Sequence, residues 1–187
     1  MQLILASQSP RRQELLGLIT LDFSVCPADI DEGLRPGADL VEEVARLAAG
    51  KARAVADLHP QAAVIGSDTL VVLDGQALGK PADEQDACRM LRLLSGRTHE
   101  VMTGLALSVP SQGMLTDTVV TRVRFADLSD EEITSYVASG EPMDKAGAYG
   151  IQGTGARFIQ GIEGDYYSVM GLPVRRLYER MRQTKLV

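Results

Sequence analysis

The chain has 187 residues, of which 45% are hydrophobic and 24% charged, a composition typical of a globular protein with a substantial core. A net charge of −6, without any compensating basic run, argues against a general nucleic-acid binder. The two cysteines, Cys26 and Cys88, have no metal or redox spacing and are expected to be free thiols. We find no signal-peptide pattern or membrane span, and therefore expect a cytoplasmic protein.

The N-terminal segment predicts a strand followed by a helix with an unusual charge pattern. Gln2–Ala6 is a short apolar strand candidate, Ser9 suits an N-cap, and Pro10 suits the first helical position. Arg11 and Arg12 then fall in the first turn, where the helix dipole disfavours each cation by ~0.3–1 kcal/mol. Two guanidinium groups beside backbone N–H groups predict an anion site. Either arginine alone is better explained by solvation or by pairing with a distant acid, but the pair at a strand-to-helix turn favours a phosphate ligand.

A long helix carries a lysine on its apolar face. Leu21–Val25 predicts a strand, Pro27–Pro36 an acidic loop, and Asp39–Leu58 a helix with apolar residues at near-helical spacing. Lys51 falls on that apolar stripe, next to Gly50. A lysine there needs a charged partner or a ligand, unless its side chain snorkels from the edge of the stripe.

The next apolar run contains an isolated acid. Ala62–Leu73 reads as a strand that Gly66-Ser67-Asp68-Thr69 interrupts in the middle. Aspartate is depleted in strands, and a buried carboxylate is costly unless it is paired or bound to a metal. Asp74-Gly75 predicts a hairpin turn, which we expect to return Lys80 toward the strand that carries Asp68.

The rest of the chain alternates helices and strands before a glycine-rich segment. A capping box formed by Ser129 and Glu132 predicts one helix start, and His99 is expected to pack within its strand. Asp144–Gly171 is glycine-rich, which suits either close approach of the backbone to a ligand or a mobile loop. The further predictions are a helix over 83–94 with Asp83 as its N-cap, strands over 98–109 and 115–126, a helix over 129–137 and a final helix over 173–183.

These residues together suit phosphate chemistry with a hard cation. Asp68 and Glu32 have the oxygen ligands that Mg²⁺ or Mn²⁺ prefers when it also binds substrate phosphates. Neither a Walker loop nor a GxGxxG turn is present. The composition therefore favours attack of an activated water on a phosphoryl centre.

Four tracts in order resemble the Maf family of nucleoside triphosphate pyrophosphatases. They are Ser7-Gln8-Ser9-Pro10-Arg11-Arg12, Gly66-Ser67-Asp68-Thr69, Gly79-Lys80-Pro81 and Asp144-Lys145-Ala146-Gly147-Ala148-Tyr149-Gly150-Ile151-Gln152-Gly153. The resemblance spans nearly the whole chain. It implies one domain over residues 1–187 with an α/β fold similar to inosine triphosphate pyrophosphatases: an elongated mixed sheet flanked by helices, and two lobes around a central cleft. It also implies a homodimer.

The resemblance further implies hydrolysis of a nucleoside triphosphate to the monophosphate and pyrophosphate with a divalent cation. By motif, Asp68 matches the family's proton acceptor. Positions tied to substrate choice match Thr69, Gln152 and Arg11 or Arg12. The polar lining of the family's cleft matches Ser7, Glu32, Lys51 and Lys80.

Within the family, the tracts resemble the branch that acts on dTTP and UTP in cleaning the nucleotide pool. Thr69 and Gln152 offer groups that can hydrogen-bond to the edge of uracil or thymine, although they are also suited to supporting their loops. Two alternatives stay open. One is a nucleotide-responsive binding protein that regulates septum formation without turnover, and the other is a phosphomonoesterase that releases orthophosphate.

Overall fold

The computed structural model describes residues 1–187, which form two compact units. The first unit comprises Met1–Asp68, Thr103–Val119 and Gly171–Val187, and the second comprises Thr69–Met102 and Val120–Met170. No helix has the length and apolar character needed to cross a membrane.

The first unit begins with the predicted strand and helix. Strand β1, Leu3–Leu5, pairs in parallel with β2, Ser24–Val25, and with β3, Ala63–Leu73. Helix α1 covers Pro10–Gly17, with Ser9 at its N-cap and Pro10 as its first residue, as predicted. Ser9 caps by position only, because its side chain makes no capping hydrogen bond. The predicted strand over 21–25 is shorter in the structure, where only its last two residues pair.

Helix α2, Leu40–Leu58, follows the predicted loop. Asp39 caps it, since its carboxylate accepts hydrogen bonds from the backbone N–H groups of Val41 and Glu42. The helix packs small residues, including Ala48 and Ala52, against Ile4 and Val64 of the sheet.

Strand β3 is continuous, so the predicted interruption at residues 66–69 is wrong. A glycine and a charged residue normally weaken a strand, but here tertiary contacts to α2 compensate for both. The backbone of α2 packs directly against Gly66, and the ammonium group of Lys51 on α2 pairs with Asp68.

The predicted hairpin joins β3 to β4, Gln76–Leu78, in antiparallel pairing. Asp74 and Gly75 both have positive φ, of 52° and 76°, as the two central residues of such a turn require. Helix α3, Glu84–Leu94, is capped by Asp83, and α4, Asp130–Ala138, begins with the predicted capping box.

Two long strands, β5 at Thr98–Val109 and β6 at Gly113–Phe125, complete most of a seven-stranded sheet. The strand order is β2-β1-β3-β5-β6-β7, where β7 is Ile159–Glu163, and β4 lies beside β3. Both parallel and antiparallel pairs occur, which confirms the predicted mixed sheet flanked by helices.

The glycine-rich segment has more regular structure than its sequence predicts. Short 3₁₀ turns are followed by strand β7, Ile159–Glu163, and helix α5, Tyr166–Met170. Pairing with β6 stabilises β7 despite its central Gly161. Helix α6, Val174–Gln183, matches the predicted final helix.

The core of the second unit contains several aromatic rings. His99 lies among them, with its ring edge-on to Phe125 and Tyr149 and Nε2 at 2.7 Å from the Tyr149 hydroxyl. This confirms its predicted packing role. Cys26 and Cys88 are free thiols, as predicted.

Candidate active site

Lys51 joins two acidic side chains within the first unit. Its Nζ lies 2.5 Å from Oδ1 of Asp68 and 2.9 Å from Oε1 of Glu32. The side chains of Lys51 and Asp68 are only 9% and 11% exposed, whereas that of Glu32 is 55% exposed. The structure thus gives Lys51 the charged partners that its place on an apolar stripe predicts, and excludes the snorkelling alternative.

This ion pair depends on a close contact between α2 and the sheet. A Cβ added to Gly66 would lie 2.2 Å from the carbonyl oxygen of Ala48, and one added to Gly104 would lie 2.2 Å from that of Val44. Only glycine permits the helix backbone to approach both strands this closely. Lys51 on the helix therefore reaches Asp68, two residues beyond Gly66.

Arg12 links the start of α1 to distant parts of the first unit. Its Nε donates to the carbonyl oxygen of Gly171 at 2.8 Å, and one terminal nitrogen donates to the Ser7 hydroxyl at 3.3 Å. Burial lowers the pKa of the guanidinium, while the carboxylates of Asp68 and Glu32 act to raise it and Arg11 acts to lower it. Arg12 and Arg11 thus lie within electrostatic reach of each other.

Ser67 completes the link around Gly171. Its buried hydroxyl lies 2.8 Å from the carbonyl oxygen of Gly104 and 2.9 Å from that of Gly171. One hydroxyl hydrogen serves one carbonyl at a time, and Arg12 serves Gly171 independently. No feature of the sequence predicts this role of Ser67.

The remaining predicted site residues belong to the second unit. Thr69 is half-buried, and Lys80 and Gln152 are exposed. The loops that carry the last two contact each other, since the N–H of Gly147 donates to the carbonyl oxygen of Gly79 at 3.0 Å.

Glu141 organises the loop after Gln152, a role that the sequence analysis missed. Its carboxylate accepts hydrogen bonds from the N–H and hydroxyl of Thr154, the N–H of Gly155 and the Tyr136 hydroxyl. Burial acts to raise the pKa of Glu141, but these hydrogen bonds outweigh it and lower that pKa below its ordinary value.

Glu43 is a second buried acid whose role was not predicted from the sequence. Its fully buried carboxylate accepts hydrogen bonds from the side chains of Arg46 and Arg35 and from the Arg35 N–H. Hydrogen bonds from Arg46 and Arg35 lower the pKa of Glu43 to about 2 against the opposing effect of burial. Glu43 lies about two helical turns before Lys51 on the same buried face of α2, so it too is a charged residue that needs a partner there.

The donor set around Lys51 fits a Mg²⁺ or Mn²⁺ ion in part. Glu32 and Asp68 are oxygen donors held near one ammonium group, but no group of three or more His, Cys, Asp or Glu forms a metal cluster. A cation held by these two carboxylates needs its remaining ligands from water and from substrate phosphates, which is the usual arrangement for Mg²⁺.

The second unit also contains a pocket of about 280 Å³. Its lining includes His99, Glu100 and Arg122 but none of the predicted site residues. Nδ1 of His99 is buried without a hydrogen-bond partner, and burial lowers the pKa of His99 to about 4. None of its lining residues belongs to the group formed by Lys51, Asp68 and Glu32, which we call the Lys51 cluster.

Comparison with known proteins settles the family. The model of the family described as Maf-like protein matches residues 2–184. The chain belongs to the Maf family. Relatives named dTTP/UTP pyrophosphatase include one from Koribacter versatilis, 55% identical over 98% of this Maf chain and 94% of the relative. Another, from Aquifex aeolicus, is 47% identical over 100% of the chain and 97% of the relative.

Among solved structures, a HAM1 protein from Coxiella burnetii has a TM-score of 0.55 and 18% sequence identity to this Maf protein. The match covers 98% of the Maf chain and 99% of the other. At this identity the likeness concerns the fold alone, and it agrees with the mixed α/β architecture described above.

Proposed function

We propose that this Maf protein hydrolyses dTTP and UTP to the nucleoside monophosphate and pyrophosphate. Relatives with about 50% sequence identity over nearly their whole length are named dTTP/UTP pyrophosphatase, which supports the assignment of the reaction. The observation that carries the mechanism is the buried Asp68 carboxylate held by Lys51 at 2.5 Å.

In this mechanism Asp68 is the general base. The Lys51 contact occupies Oδ1, so Oδ2 accepts the proton of a water that attacks the α-phosphorus. The bond from the α-phosphorus to the bridging oxygen breaks as the new P–O bond forms, and pyrophosphate leaves. Burial and the ion pair with Lys51 of helix α2 together keep the carboxylate in one orientation.

Cationic groups hold the triphosphate and stabilise the charge that develops on the leaving group. We assign this role to Arg11, Arg12, Lys51 and Lys80, with Ser7 supporting Arg12 through its hydroxyl. Glu32 and Asp68 would hold Mg²⁺ or Mn²⁺, which would neutralise phosphate charge. Thr69 and Gln152 select the pyrimidine base by hydrogen bonds to its edge.

The first experiment identifies the products. The purified chain is incubated with dTTP, UTP and control purine nucleotides in Mg²⁺, and pyrophosphate and orthophosphate are measured separately. We expect pyrophosphate from dTTP and UTP, and loss of the reaction in EDTA. Orthophosphate as the first product favours a phosphomonoesterase, and tight binding without turnover favours the nucleotide-responsive binding protein.

The second experiment tests Asp68. Asp68→Asn removes the proton acceptor with little change in volume, and general-base loss lowers turnover by roughly 100- to 10,000-fold. Asp57→Asn is the matched control, because Asp57 is exposed on the same helix as Lys51. Partial rescue of Asp68→Asn by excess Mn²⁺ identifies Asp68 chiefly as a metal ligand, whereas near-normal turnover in Mg²⁺ contradicts either role.

A further inference from the structure

The loop that carries Glu32 lies along one face of α2, in the opposite direction to the helix. Ile30 lies against Gly50, where an added Cβ would approach its Cδ1 to 3.2 Å. Glu32 then meets Lys51, and Arg35 meets Glu43 nearer the helix start. We call residues 30–35 the α2 strap.

Arg46 joins the α2 strap to the buried carboxylate of Glu43. Its Nε lies 3.0 Å from Oε1 of Glu43, and a terminal nitrogen lies 2.9 Å from Oε2. The same terminal nitrogen donates to the carbonyl oxygen of Gly33 at 2.9 Å. The guanidinium fork therefore connects a fixed anion inside the protein to the residue directly after Glu32.

Gly33 is held from both sides of its backbone. Its N–H donates to Oδ1 of Asp31 at 2.8 Å, while its carbonyl accepts from Arg46. The N–H of Arg35 donates to Oε2 of Glu43 at 3.0 Å. These bonds fix the backbone just after Glu32, although the Glu32 side chain itself is mostly exposed.

We infer that Glu43 and Arg46 are positioning residues that hold Glu32 against Lys51 and thereby order the Lys51 cluster before substrate binds. An exposed acid on a loop would otherwise sample many conformations, and each would have to be lost on binding. The inference rests on the proposed function only in assigning catalytic value to Glu32. The positioning itself concerns the chain without substrate or metal.

Hydrogen exchange of the chain alone tests the positioning directly. The N–H groups of Gly33 and Arg35 report the two ends of the link, and we expect both to be protected in the wild type. Arg46→Met is expected to reduce their protection at least tenfold while exchange in the β3 strand stays unchanged. Arg53→Met is the matched control, because Arg53 is exposed on the same helix. Unchanged protection in Arg46→Met overturns the inference.

A double-mutant cycle tests the consequence for activity. Loss of a residue that orients a ligand typically costs roughly 10- to 100-fold, so Arg46→Met is expected to lower kcat/KM for dTTP by at least tenfold. In a Glu32→Gln background the same substitution is expected to change kcat/KM less than twofold, because Arg46 acts through Glu32. Equal losses in both backgrounds overturn the inference.

A second variant and the independence of hydrogen exchange from turnover keep the test decisive. If Arg46→Met fails to fold, Arg46→Lys retains a cation beside Glu43 but lacks the fork that spans Glu43 and Gly33. The lysine variant is then expected to show the same selective loss of protection, and full protection in it contradicts the inference. If the wild type releases no pyrophosphate from dTTP or UTP, the proposed function fails, while hydrogen exchange still decides the positioning.

Discussion

Gly66 is the position where one added methyl group has the most calculable effect. In Gly66→Ala the new Cβ falls 2.2 Å from the carbonyl oxygen of Ala48 and 2.8 Å from the nitrogen of Ala52. Both are backbone atoms of α2, so no side-chain rotation relieves the overlap. Restoring even a 3.0 Å contact requires the helix and strand to separate by about 0.8 Å.

The expected cost follows from that separation. Overpacking of this kind destabilises by about 1–3 kcal/mol, which for a chain of this size lowers the Tm by roughly 2–12 °C. The same movement displaces Lys51 from Asp68, and a misplacement of about 1 Å near reacting groups costs about 100-fold in rate. Turnover should therefore fall much further than the loss of folded protein explains.

Thermal unfolding and pyrophosphate release at 25 °C measure the two effects separately. Gly17→Ala is the matched control, because its added Cβ meets only Leu21 Cδ2, at an ordinary 3.7 Å. That variant should be neutral or stabilised by up to ~1 kcal/mol, since alanine is the better helix former. Wild-type Tm and turnover in Gly66→Ala would refute the reasoning.

Three further predictions concern charges. Burial lowers the pKa of His99 to about 4 from an ordinary 6.5, so the unfolded chain takes up the proton first as the pH falls. The free energy of unfolding should therefore fall by about 3 kcal/mol between pH 6.5 and 4. In urea titrations of His99→Gln, the free energy of unfolding should depend less on pH over the same range. Lys51→Met leaves Asp68 without its cation, and urea titration should show a loss of about 3 kcal/mol, compared with little loss in Lys51→Arg. Glu141→Gln weakens the hydrogen bonds to Thr154, so the Thr154 N–H should exchange faster with solvent, as measured by NMR. Unchanged exchange would argue against the role assigned to Glu141.

Elements were predicted best where the signal, a cap or a turn, depends on residues that are close together in the sequence. The capping box at Ser129, the cap at Asp83 and the Asp74-Gly75 turn each depend on neighbours within four positions, and all appear as predicted. Strand β7 was missed because its five residues include Gly161 and are stabilised by β6, far along the chain. Tertiary pairing of this kind leaves little trace in a short window.

The candidate site divides in the same way. Asp68 and Lys51 were each out of place by local rules, and the structure shows that each is the other's partner. Glu43 was out of place in the same way, as a charged residue on the buried face of α2. It was not recognised because its partners Arg35 and Arg46 lie in an exposed loop and on its own helix. Which acid meets which cation depends on helix rotation and loop path, and residue types alone do not specify either.

The contacts of the α2 strap also limit changes in chain length. Each helical residue advances the face by about 100° and ~1.5 Å, so one residue inserted between Arg46 and Lys51 would turn Lys51 away while leaving every side chain present. Deletion of one strap residue between Glu32 and Arg35 would shift the two ends against each other in the same way. Along this face the number of residues is constrained as strongly as their identity, because Glu32, Gly33 and Arg35 each meet a separate partner on α2.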